Sequence, residues 1–293
     1  MMGAIAILVS VLLSSSATAQ SVEGSSAAAV RTARVAVVPM RYRDPPSASP
    51  DAIAEYNRTL PAVTQTDAQA SFAAVAAWWG AETYGKQKLD VNVLPAVSLP
   101  GNPGCDIGRI NADAHSAASE AKFDVLVAIL PYSCWSSHAI TSGNTVISWN
   151  SYTNEPGHLA HELGHAFGLL HNALRMPEYV PYGSSVDQMG RVGSGLVHFL
   201  SDHKERLGVL VPKPCATATL RSIYKYPDAI RCGAYIADYL DDWGQVWIHQ
   251  RESVSGKYSS DTTDVAKLSP GQSYNAGGYT FTHVTGGKVL ITR

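Results

Sequence analysis

The stretch His161-Glu162-Leu163-Gly164-His165-Ala166-Phe167-Gly168-Leu169-Leu170-His171 decides how the rest of the chain is read. His161 and His165 are four apart, so a helix stacks them on one face. Two imidazoles placed that way can hold one metal ion, with Zn–N distances of roughly 2.0–2.1 Å. Glu162 follows the first ligand and is free to take a proton from water at the metal. Gly168 lets the backbone adopt φ > 0 and leave the helix. His171 then returns to the metal as a third ligand, which a straight helix forbids. Three protein ligands leave a fourth position open for water, the pattern of a catalytic rather than a structural site. The expectation is therefore Zn²⁺ on His161, His165 and His171, with Glu162 as general base.

Leu159, Leu163, Phe167 and Leu170 form an apolar stripe at helical spacing, with His161 and His165 roughly opposite. A plain amphipathic helix explains the stripe, but not a third histidine after a glycine break. The eleven residues resemble the long zinc signature HExxHxxGxxH of the metzincin metallopeptidases. That family has a methionine turn beneath the metal, and Met189, in Tyr182-Gly183-Ser184-Ser185-Val186-Asp187-Gln188-Met189-Gly190, is the candidate for it. More narrowly, the chain resembles the gametolysin family of secreted metallopeptidases. The further stretches that carry this are Glu82-Thr83-Tyr84-Gly85-Lys86 and His203-Lys204-Glu205-Arg206-Leu207-Gly208. The likeness runs over roughly residues 33–210. Some metzincins carry a Tyr two residues after the Met; Arg191 stands there, so no such role transfers.

The first 19 residues read as a secretory signal peptide, with an apolar core from Ala4 to Leu13 and an Ala17-Thr18-Ala19 cleavage site. That core is too short for a permanent anchor, and no later stretch is apolar enough to cross a membrane. The mature chain is expected to be extracellular, with the periplasm as the alternative compartment. A net charge of −2 argues against a nucleic-acid or anionic-membrane partner. Four cysteines in an exported chain favour two disulfides. Of three connectivities, Cys105–Cys134 and Cys215–Cys232 keep each bridge within one expected domain. Arg231-Cys232-Gly233 is similar to a cysteine-switch motif but lies after the zinc helix, so Cys232 is read as bridged.

Residues 20–32 read as a flexible leader, 33–212 as the catalytic domain and 213–293 as a small β-rich domain. Strands are expected at Arg34–Arg41, Lys88–Leu99, Phe123–Leu130 and Asn144–Trp149, the last as the edge strand beside the cleft. Helices are expected at Ala68–Tyr84, Arg109–Ala121 and Leu196–Leu207, with Asn154 capping the zinc helix and Pro156 in its first turn. The order predicts an α/β (α+β) fold, a twisted and mostly parallel sheet with helices against it. The resemblance makes this a metzincin-like zincin domain. His198 and His203 read as surface histidines. Asp238, Asp241 and Asp242 read as solvated charges, and His249 and His283 as strand residues without a carboxylate at motif spacing.

The resemblance implies a secreted zinc metalloendopeptidase whose partner is a protein or peptide substrate in the extracellular space or cell wall. Two other readings remain open from the residues: a zinc amidase acting on cell-wall peptides, and a secreted binding module with a vestigial zinc site. Every group the expected mechanism needs lies between residues 161 and 189. The β-rich end is therefore expected to serve stability or targeting.

Overall fold

The computed structural model describes residues 30–43, 64–101, 103–131, 139–149, 155–176, 178–190, 195–254 and 260–293. The expected signal peptide, most of the leader, Cys134, Asn154 and Arg191 lie outside the described residues.

The chain is mixed α/β. Its first sheet holds β1 (Arg31–Tyr42), β2 (Gln87–Val93), β3 (Val97–Leu99), β4 (Val125–Leu130), β5 (Ala139–Ser142) and β6 (Thr145–Trp149). The order is β2-β1-β4-β6-β5, with β3 also on β1. All pairings are parallel except β5 on β6. The continuous apolar runs of β1 and β4 are buried on both faces, as a central parallel strand requires. Side chains alternate accordingly. Val35 and Val37 face a core shared with α1 (Gln65–Glu82), whereas Ala36, Val38 and Met40 face α2 (Ile107–Ala117). Phe72, Val75 and Trp79 of α1 are fully buried there, so the tryptophan is core.

Several boundaries differ from the sequence reading for local reasons. β1 begins at Arg31, inside the expected leader. The strand expected over 88–99 is two strands, because Pro95 offers no N–H to continue the ladder. α1 starts at a Thr64–Asp67 capping box and stops before Tyr84, whose φ of 54° is left-handed. β6 is paired on both sides. Among the described residues the edge on this side of the sheet is β5, in a stretch to which the sequence reading assigns no element.

The helix expected over 196–207 is only α4, Ser201–Arg206. Residues 197–200 are held extended because side chains capture their amides. Val197 N donates to Gln188 Oε1, Phe199 N to Glu82 Oε2 and Leu200 N to Asp187 Oδ2. Between α2 and α4 lies α3, Pro156–Ala166, packed on the α1 side of the sheet through Leu159, Ala160 and Leu163.

The second half adds β7 (His171–Arg175), β8 (Tyr179–Val180), β9 (Lys213–Pro214), β10 (Ala218–Thr219), β11 (Ala229–Cys232), β12 (Tyr235–Leu240) and β13 (Gln245–Val254). It ends with β14 (Ser260–Leu268), β15 (Ser273–Ala276), β16 (Tyr279–Thr285) and β17 (Lys288–Thr292). They form a seven-stranded sheet, β8-β7-β14-β13-β12-β11-β9, and a four-stranded one, β10-β17-β16-β15. Val246 and Ile248 pack with Phe281 and Val289 between the two sheets. Trp247, on the opposite face, packs with Val186 and Leu200. Residues 213–293 are thus β-rich, yet β7 joins their long sheet by pairing with β14, so main-chain hydrogen bonds cross the boundary drawn at residue 212. Cys215 and Cys232 are disulfide-bonded within this half. Cys105 is also disulfide-bonded; its expected partner, Cys134, is outside the described residues. No helix among the described residues is long and apolar enough to cross a membrane.

Candidate metal centre

α3 opens with Pro156 at its first turn, where the missing N–H costs nothing, and Glu155 at the cap makes no side-chain cap bond. Leu159 and Leu163 are buried, and the Phe167 ring lies 4.9 Å from that of Trp79. Leu170, read as part of this stripe, is instead exposed, because the chain has already left the helix. Gly168 takes φ +86°, the left-handed turn its position demands. His171 then opens β7.

This brings the three expected histidines together. The ligand atoms offered by His161, His165 and His171 all lie within 4.8 Å of one another. His161 Nδ1 donates to Gln188 O at 2.9 Å, and His165 Nδ1 to Leu169 O at 2.8 Å. A carbonyl only accepts, so both protons sit on Nδ1. In the neutral rings both Nε2 atoms are then unprotonated, and their lone pairs face one another at 3.1 Å. Two such lone pairs at that distance repel unless a cation lies between them. The donor set therefore fits a metal ion, and the backbone carbonyls fix ring orientation as outer-shell partners do. Burial, with the nearby His165 and His171, pushes His161 down to about 3, which keeps it neutral as a ligand must be.

Met189 is fully buried under α3. A Cβ on Gly164 would overlap the Met189 sulfur and lie 3.1 Å from its methyl carbon. Gly164→Ala is therefore expected to lower stability by about 1–3 kcal/mol, read as a drop in the urea midpoint. An unchanged midpoint would mean that Met189 moves aside freely. The turn carrying Met189 is pinned from several sides. Asp187 Oδ1 accepts from Met189 N at 2.7 Å, Asn172 N donates to Met189 O at 3.1 Å, and Gln188 Nε2 donates to Gly157 O at 2.8 Å.

Glu162 is part-buried, and its Oε2 accepts from Thr141 Oγ1 at 3.0 Å. Burial pushes its carboxyl up to about 7, against the opposing effect of that hydrogen bond. Thr141 belongs to β5, which sets Glu162 beside a sheet edge that is unpaired among the described residues.

Sequence reasoning gives no role to Tyr182. Its ring centroid lies 3.9 Å from that of His171 and 6.4 Å from that of His161, on a backbone with φ 55°. Only the turn after β8 brings it there, and no local pattern announces it. His158, one turn before His161, is buried with Nδ1 2.6 Å from Glu155 Oε2. His203 is not a surface residue: it is fully buried, with Nδ1 3.0 Å from Asp187 Oδ2. His198 Nδ1 is 2.6 Å from Glu82 Oε1. His249 and Asp238, read as a strand histidine and a solvated charge, are both fully buried and paired at 3.0 Å. Asp241 is half-exposed beside Lys225, nearer to its expectation.

No known protein family matches the chain. No curated protein matches it either. Among solved structures, the chain is similar to one described as "Structure of a chaperone-substrate complex", at 12% identity and a TM-score of 0.38. The match covers 59% of this chain and 30% of that one, and a likeness this distant carries no argument about fold or function.

Proposed function

We propose that the chain is a secreted zinc metalloendopeptidase of the metzincin, gametolysin-like kind, cleaving peptide bonds in extracellular or cell-wall proteins. The observation that carries this reading is the convergence of three imidazoles, two of them on the helix that also bears Glu162 and with unprotonated Nε2 atoms 3.1 Å apart. Three nitrogen ligands with a position left open suit catalytic zinc. Bound there, zinc would polarise a carbonyl and lower the pKa of water from 15.7 towards about 7.

The chain's own residues supply the rest. His161, His165 and His171 would hold the ion, and the Gln188 and Leu169 carbonyls keep two of those rings aimed. Glu162 takes the proton of the attacking water and passes it to the leaving amine. Thr141 orients the Glu162 carboxylate by donating to Oε2. An extended substrate pairs with β5 rather than with the 144–149 strand, which has no free edge. Met189 is a structural floor and not a reactant.

The test is a peptide-library digest by the mature protein, with and without a zinc chelator, beside His165→Ala. Cleavage that requires zinc and disappears in His165→Ala, together with its zinc retention, is the expected result. A folded His165→Ala protein with full zinc occupancy and normal cleavage would overturn the assignment. Hydrolysis of cell-wall peptides alone, with no protein cleaved, would move the reading to an amidase.

A further inference from the structure

The third ligand differs from the other two in what holds it. His161 and His165 ride on α3, whereas His171 sits at the first position of β7. On one side β8 pairs with β7 only at Leu174 and Arg175, away from the ligand. On the other side β14 runs parallel to β7 from its start, with Ser260 opposite His171 and Thr262 opposite Asn172. The main chain at the ligand is thus held by a strand far along the sequence.

Side chains reinforce that pairing. Asn172, next to the ligand, is fully buried and donates Nδ2 to Asp264 Oδ1 at 3.0 Å. The same oxygen lies 2.7 Å from His249 Nδ1, and His249 Nε2 lies 3.0 Å from Asp238 Oδ1. Asp238 Oδ2 then accepts from Ser201 N at 3.1 Å, at the start of α4. Asp264, His249 and Asp238 are all fully buried. Both ring nitrogens of His249 face carboxylate oxygens, so both are donors and the ring is an imidazolium. Burial alone would lower its pKa, but the two aspartates outweigh this and raise it well above the ordinary value. The result is a continuous buried chain of polar groups from the residue beside His171, across the seven-stranded sheet, to α4.

We infer that the C-terminal sheet is part of the metal centre, with Asp264 and His249 as positioning residues that fix the strand bearing His171 for metal binding. This rests on reading the three histidines as a metal site. It assigns the β-rich end a role in holding the metal, beyond stability or targeting. Groups that orient a ligand typically affect metal affinity by about 10–100-fold when removed.

The experiment is a zinc titration of the full-length chain by competition with a chromophoric chelator. It compares wild type, Asp264→Ala, Asp264→Asn and His171→Ala, with circular dichroism recorded on each. Asp264→Ala should bind zinc about 10–100-fold more weakly while folded. Asp264→Asn keeps an oxygen for Asn172 but loses the charge beside His249, so it should fall between. Folded Asp264→Ala with wild-type affinity, when His171→Ala has lost it, would overturn the inference and leave the metal site standing. Wild type without measurable zinc affinity would overturn the metal reading, and this inference with it.

Where Asp264→Ala does not fold, hydrogen exchange on wild type decides. Coupling is reciprocal, so zinc should slow amide exchange in β14 as well as in β7. Protection confined to α3 and β7 would overturn the inference.

Discussion

Glu162→Gln is expected to slow peptide cleavage by roughly 10²–10⁴-fold while zinc content and fold are unchanged. The substitution keeps the shape of the side chain and its acceptor for Thr141, but removes the group that takes a proton. The loss should appear in kcat, because Glu162 is proposed to act on the reacting water and not on substrate binding. The electrostatics separate this from unfolding. Burial raises the Glu162 carboxyl to about 7, so folding favours its neutral form. For an acid raised in this way, stability is lost as pH rises from the unfolded value, near 4.3, through the folded one. The neutral amide of the variant carries no such cost. The metal-free variant should therefore be at least as stable as wild type at about pH 8. Parallel measurements of turnover, zinc content and thermal midpoint decide the matter. Near-normal turnover in a folded, zinc-loaded variant would transfer the role of base to another residue.

What is legible in the sequence is what short-range geometry dictates. The helix carrying His161 and His165, the glycine exit at Gly168 and the return of His171 all follow from spacing within eleven residues. The central strands β1 and β4 announce themselves as unbroken apolar runs. The Cys215–Cys232 bridge follows from keeping each pair within one expected domain.

What the sequence hides depends on partners distant in the chain. His203 reads as a polar helix residue until the fold sets Asp187 against it. His249 meets its two aspartates only once β12, β13 and β14 are in register. The bond between Asn172 and Asp264 spans 92 residues and crosses the boundary that a change in composition marks near 212. β5 escapes notice because its four residues are too few to establish alternation, though Thr141 within it touches the proposed base. The helix expected from residue 196 loses its first turn to side-chain acceptors on Glu82, Asp187 and Gln188, which no periodicity can reveal.

One of those acceptors gives the second large effect. Asp187→Ala should destabilise the fold by about 3–5 kcal/mol, as removing one partner of a buried ion pair does. Asp187 is fully buried and binds four ways: Oδ1 to Met189 N, Oδ2 to Leu200 N, and both oxygens to His203 Nδ1 at 3.1 and 3.0 Å. Its loss strands two amides and a buried imidazole together, and it frees the turn whose Gln188 carbonyl orients His161. The effect should depend on pH. Burial alone would raise the Asp187 carboxyl, but His203 and the two amides outweigh it and hold the group below the usual carboxylate range. A depressed folded value means stability that is present above the unfolded pKa, near 3.9, and lost as pH falls through the folded one. Urea unfolding of wild type and Asp187→Ala should therefore differ by the full amount above about pH 5 and converge as pH falls below about 4. Asp187→Ala with His203→Leu removes the stranded imidazole and should recover part of the loss, since an apolar pair needs no compensation. A difference below about 1 kcal/mol at neutral pH, or one that does not shrink in acid, would show that the carboxylate is not what holds the turn beneath the histidines.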